Sequence, residues 1–188
     1  MRQKDEAKAR DMLRATLEEV QSVGLAGLSV EAVARRAGVA TGTVYVYFKG
    51  KEALLDELYL HTKQKFAAFV LRDDGLPLRA TFTRITCAYL DYVTENAAEM
   101  VFMGQMANSP YVTPQTRETV ALGVRPLMAL LERGKAEQLL KDVDIAWMTA
   151  FLGGVMHAMA PLGARLAPDA RRQFQETVAA LCWDALKA

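Results

Sequence analysis

The chain has 188 residues, of which 52% are hydrophobic and 24% charged, with a formal net charge of +1. That balance excludes a disordered polypeptide and leaves room for one good core, or for a small module beside a larger one. No apolar run approaches the roughly 18 residues needed to span a bilayer, and the start MRQKDEAKAR is too charged for a signal peptide, so a soluble, cytoplasmic protein without a membrane partner is expected.

From Ala9 the positions Met12, Leu13, Thr16, Leu17 and Val20 recur at helical spacing, predicting an amphipathic helix that ends near Gly24. Leu25 and Leu28, in a loop with Gly24 and Gly27, close the base of a small core. Ser29 is a good N-cap for a second helix whose apolar face is Val30, Val33, Ala34 and Ala37 and whose charged face is Glu31, Arg35 and Arg36. Gly38 follows where a residue of positive φ commonly ends a helix.

A third helix over about Thr41 to Phe48 turns Val44 and Phe48 inward, sets Gly42, Thr43 and Val46 outward, and leaves Tyr45 and Tyr47 on the flanks. Two helices joined by a short glycine turn, the second with a small, polar outer face, form the helix-turn-helix pattern, whose second helix enters the major groove. Lys51 opens the next helix, where its amine and the free N–H groups of the helix start suit a phosphate. Residues 1–51 carry nine Lys/Arg against six Asp/Glu, and residues 52–188 carry fourteen against sixteen, so positive charge collects at this end.

The segment AGVATGTVYVYFKGKEAL closely resembles the DNA-binding signature of the TetR family of transcriptional regulators, over roughly Ala9 to Leu58. The resemblance implies that Thr41, Thr43 and Val46 face bases and that Tyr45, Tyr47 and Lys51 hold phosphates, with Ser29 and Gly42 completing the DNA-binding set. Ala40 departs from the family, which usually has a capping serine there; an alanine cap costs about 1 kcal/mol unless Thr41 shifts the start by one residue. Val46 stands where an aromatic residue or histidine is common, making any base contact apolar, as with a thymine methyl.

The connecting helix runs from Lys51 through Leu54, Leu55, Leu58, Thr62, Phe66, Phe69 and Val70, about 30 Å at 1.5 Å per residue, and stops at RDDGLP. Phe82, Ile85, Thr86, Tyr89 and Val93 mark another helix, followed by a short one over Glu99 to Ala107. Thr113 and Pro114 read as N-cap and first helical residue, and Pro126 breaks the helix after Val124. Two last helices are expected, about Asp144 to Ala160 and Pro168 to Leu186, separated by Pro161, Gly163 and Pro168.

The fold expected is all-α, with a helix-turn-helix DNA-binding domain of three helices at residues 1–50 and a helical ligand-binding and dimerisation domain at 51–188. Trp147, Phe151, Gly154 and Ala158 of the penultimate helix and Phe174, Val178 and Leu181 of the last are expected at a homodimer interface, as in the resembled family. A small apolar or aromatic effector is expected among Tyr89, Tyr92, Phe102, Met103, Met106, Met128, Met156 and His157, since seven of nine methionines fall between Met100 and Met159 and methionine adapts to such ligands.

Catalytic chemistry is not expected. There are two distant histidines, no GxSxG, no phosphate-binding glycine loop and no motif-spaced metal ligands, while Asp142 and Asp144 read as helix-start residues. Cys87 and Cys182 lie in apolar helical patterns and read as buried thiols, so neither metal nor cofactor is expected. The function implied is a homodimeric repressor on a palindromic double-stranded operator, released by its effector. The alternatives are an activator of the same family and a helical ligand-binding protein without DNA binding.

Overall fold

The computed structural model describes residues 2–72 and 75–188. Asp73 and Asp74, part of the expected RDDGLP turn, lie outside the described residues. Among the described residues there are ten α-helices and no strand: α1 Arg2–Gly27, α2 Val30–Arg36, α3 Thr41–Tyr47, α4 Lys51–Val70, α5 Leu78–Glu95, α6 Ala97–Met106, α7 Pro114–Gly123, α8 Arg125–Ala136, α9 Ile145–Gly163 and α10 Pro168–Leu186. They pack as two compact units, residues 1–64 with 98–120 and residues 65–97 with 121–188. Packing therefore groups residues differently from the division expected at residue 50.

In the first unit, α1 begins well before Ala9 and is broken at Gly24, where φ is 72°. Its inner face, Met12, Leu13, Thr16 and Val20, is buried with Leu28, Val33, Val44, Leu54 and Leu55. Thr16 is fully buried because its hydroxyl donates to the Met12 carbonyl at 2.8 Å, and Thr62 solves the same problem on Leu58 at 2.7 Å.

Arg36 is not simply a solvated charge. Its Nε and Nη2 donate to Oε2 of Glu19 at 3.0 and 2.9 Å, and Nη1 lies 3.6 Å from Glu18, so α2 is fastened to α1 across seventeen residues. Glu19 is buried, and a buried carboxylate without its partner is costly.

A second polar clasp joins α4 to α7. Thr113 caps α7, its hydroxyl accepting from the Thr116 amide at 3.2 Å, and Asp56 accepts from the Thr113 amide and from both threonine hydroxyls at 2.8 to 3.0 Å. The Asp56 carboxylate thus satisfies free donors at the positive end of α7.

In the second unit, α10 packs on α5 and both pack on α9. Phe66 meets Tyr89 and Tyr92 edge to face at 5.5 and 5.2 Å, and Trp183 meets Phe82 at 5.5 Å. The carboxyl end is stitched to the α8–α9 loop, Lys141 donating its amide to the Leu186 carbonyl at 2.8 Å. Pro126 sits in the first turn of α8, as expected.

Pro161 does not end α9, which continues to Gly163. So near the carboxyl end the missing N–H costs only the bond to the His157 carbonyl, and the turn closes through Ala164 on Ala160 at 3.0 Å. The resulting 19-residue helix has no Asp, Glu, Lys or Arg and is long and apolar enough to cross a membrane by length and composition, contrary to the expectation from sequence. It instead supplies a wall of the second unit, burying Met148, Leu152, Met156, Ala160 and Gly163.

Replacing Arg36 by Ala is expected to lower stability by about 1–2 kcal/mol, the value of a charge-assisted hydrogen bond discounted for an arginine 39% exposed. Urea unfolding should show a lower midpoint with an unchanged slope; an unchanged midpoint would mean that Glu19 is stable without its partner.

Candidate nucleic-acid interface

The turn between α2 and α3 is fixed at both ends. Ser29 caps α2, its hydroxyl accepting from the Ala32 amide at 3.2 Å. At the other end Gly38 has φ 68°, its amide meets the Arg35 carbonyl at 3.3 Å, and the Val39 amide meets Ala34 at 3.0 Å. This paired closure needs a left-handed residue at Gly38, where an L side chain is strained.

Helix α3 then starts after Ala40, which supplies no side-chain cap; Thr41 does not shift the start. The Thr43 amide bonds the Ala40 carbonyl at 2.8 Å. Val44 is fully buried and Phe48 nearly so, which fixes the rotation of the helix about its axis. Gly42, Tyr45 and Val46 are exposed, Thr41, Thr43 and Tyr47 half-buried, and Val46 is, among the described residues, the most open of the large apolar ones at 81%.

Lys51 begins α4 and is half-buried. Its ammonium donates to the Ala26 carbonyl at 2.7 Å, at the negative end of α1, and this link between α1 and α4 was not visible in the sequence. An ammonium has three donors, so two remain for a phosphate oxygen. The surface assembled from α3 and the start of α4 is therefore small, hydroxyl-bearing and apolar at its crest, with lysine at its edge.

The other predicted groups are dispersed. Phe102, Met103 and Met106 are buried in the first unit; Tyr89, Tyr92, Met128, Met156 and His157 belong to the second. Tyr92 is fully buried in the aromatic cluster with Phe66 and Phe69, and burial raises the Tyr89 hydroxyl above its ordinary value. His157 is a correction: its side chain is exposed on α9, beside exposed Ala158, and not buried with Met156. In the second unit a cleft of about 600 Å³ is lined by Leu71, Ile85, Pro126, Leu130, Arg72 and Arg133, none of them among the residues expected to bind an effector.

Of the interface set, Trp147, Phe151, Gly154 and Ala158 share the exposed side of α9 and Leu181 is exposed on α10, whereas Phe174 is half-buried beside Gly163. Val178 is the second correction, being buried in the second unit with Ala179 and Cys182. Leu162 extends the α9 stripe and was missed because Pro161 was read as a stop. Burial raises both thiols, Cys87 to about 11 with Asp91 and Glu176 adding to the shift, so neither is nucleophilic near neutral pH.

A capped helix, a glycine turn and a second helix with one anchored and one open face form a helix-turn-helix. The profile of the bacterial regulatory proteins of the tetR family matches residues 12–58. The chain is 43% identical over 49 residues to the HTH-type transcriptional regulator BetI 1 of Chromohalobacter salexigens, an alignment covering 26% of this chain and 24% of that relative. It is 27% identical over 184 residues to BetI of Escherichia coli O17:K52:H18, covering 89% and 91%. A TetR family transcription regulator from Marinobacter aquaeolei has the same fold, with a TM-score of 0.89 at 23% identity over 100% and 99% of the two chains. The amino-terminal segment thus carries the helix-turn-helix of tetR-family regulatory proteins, and the whole chain shares the fold of a TetR family transcription regulator.

Lys51→Ala is expected to weaken binding to every duplex alike and to flatten its salt dependence by about one counterion, since phosphate contacts carry no base information. Thr43→Ala should instead alter the preference among duplexes. Binding titrations at several salt concentrations separate the two, and affinity unchanged in both variants would displace the reading surface from α3.

Proposed function

We propose that the protein is a homodimeric repressor that binds a palindromic operator and is released by a small apolar or aromatic effector. The observation that carries the DNA half is the outward face of α3, held open by the burial of Val44 and Phe48 on the opposite side. On this reading Thr41, Gly42, Thr43 and Val46 meet the major groove, Tyr45, Tyr47 and Lys51 meet phosphates, and Ser29 fixes the entry to α2. Work on chromosomal DNA makes the cytoplasm its compartment.

Dimerisation is supported by the apolar side of α9. Trp147 is 71% exposed and Phe151 43%, with Gly154 and Ala158 on the same side, small enough for a second helix to come close, and Leu181 of α10 is 59% exposed. An exposed apolar patch of this kind usually marks an association surface. In such a dimer the two copies of α3 must match operator half-sites one helical turn apart, about 34–36 Å, or a multiple of it.

Release requires an effector that prefers the DNA-incompetent state; one that binds both states equally shifts nothing. Tyr89, Met128 and Met156 in the second unit, and Phe102, Met103 and Met106 in the first, offer adaptable apolar surface. On this reading the effector acts by biasing helix α4, which leads on from the α3 segment in the chain.

Two measurements test this. Sedimentation at micromolar concentration is expected to give a dimer, and Trp147→Asp a monomer with at least tenfold weaker operator binding; a wild-type monomer rejects the dimer. Compounds that raise the melting temperature of the protein should include some that lower operator affinity, and the induction half fails if every such compound leaves affinity unchanged.

A further inference from the structure

On the reading that α3 enters the major groove, we infer that Val46 reads the 5-methyl group of thymine, and that Gly42 is bare so that the α3 backbone reaches that depth. Two independent features of the free protein carry this.

The first is the chemistry available on α3. Its seven residues, Thr41 to Tyr47, include no arginine, lysine, asparagine or glutamine, the side chains that read guanine or adenine by paired hydrogen bonds. Val46 stands at the crest, 81% exposed, with no polar atom in its side chain. The apolar group that the major-groove floor offers it is the thymine methyl.

The second is Gly42, one helical turn before Val46 on the same side. It lies within α3, its φ is not in the left-handed region, and a Cβ built on it meets nothing within 4 Å. Nothing inside the protein therefore requires glycine, and a glycine in a helix weakens it relative to alanine. An outside surface that comes close to the backbone supplies the missing reason. Gly38 differs, since its φ of 68° explains it locally.

The test uses the full chain and duplexes enriched by it from a random DNA pool. In the best duplex each thymine is replaced singly by deoxyuridine, which removes one methyl and leaves base pairing intact. Wild type should lose about fourfold in affinity at one thymine or more per half-site, the worth of a buried methyl, and Val46→Ala should bind the thymine and uracil duplexes alike. Gly42→Ala should raise the melting temperature yet weaken DNA binding, a combination that misfolding cannot produce.

Equal affinity for thymine and uracil at every position, or discrimination that survives in Val46→Ala, overturns the reading of the methyl. Gly42→Ala binding as tightly as wild type overturns the close approach. If no duplex is enriched at all, the DNA-binding reading itself fails and takes this inference with it.

Discussion

Helix α3 exists because its Val44 and the Phe48 that ends it are anchored: Val44 lies fully inside the core and Phe48 nearly so. Seven residues are too few to hold a helix in water, where the nucleation cost is recovered only over many more. Nor do its ends help, since Ala40 gives no cap and no charged residue lies in either terminal turn. Tertiary burial is thus what holds the element, and the same burial sets its rotation. Once Val44 and Phe48 face in, Gly42 and Val46 face out, so folding and display of the reading surface are one event.

The supports of that anchor are arranged around it. The Gly38 turn fixes where α3 begins, the Glu19 and Arg36 pair holds α2 on α1, and the Lys51 ammonium ties the start of α4 to the end of α1. Each is a small set of polar contacts at a helix end or between neighbouring helices, and each restrains a different edge of the module. A weak cap at Ala40 is tolerable in such a frame, because the frame and not the helix supplies the stability.

What the sequence made legible was local. The Ser29 cap, the Gly38 stop, the inward pair Val44 and Phe48 and the Thr113–Pro114 start each follow from a rule that spans at most a few residues. Contacts across long intervals left no periodic trace: Glu19 with Arg36, and Asp56 with Thr113 and Thr116 nearly sixty positions on. The stripe of Phe174, Val178 and Leu181 on α10 was wide enough to straddle two surroundings, and its Val178 edge turned to the core while Leu181 turned out. Pro161 misled because a proline in a last turn removes one bond from an end that is already short of partners.

The Asp56 clasp explains how the first unit comes to include residues 98–120. Helices α4 and α7 are distant in sequence, and α7 offers unfilled donors at its start that a carboxylate on α4 fills with three hydrogen bonds. Both helices also continue past the limits of that unit, α4 beyond Gln64 and α7 beyond Val120. For the proposed release this matters, because the Asp56 carboxylate is one anchor shared by both helices, nine to fifteen positions along the chain from α3. The anchor is polar and fully hydrogen-bonded, so it moves as a whole or breaks; it does not yield gradually as an apolar contact would.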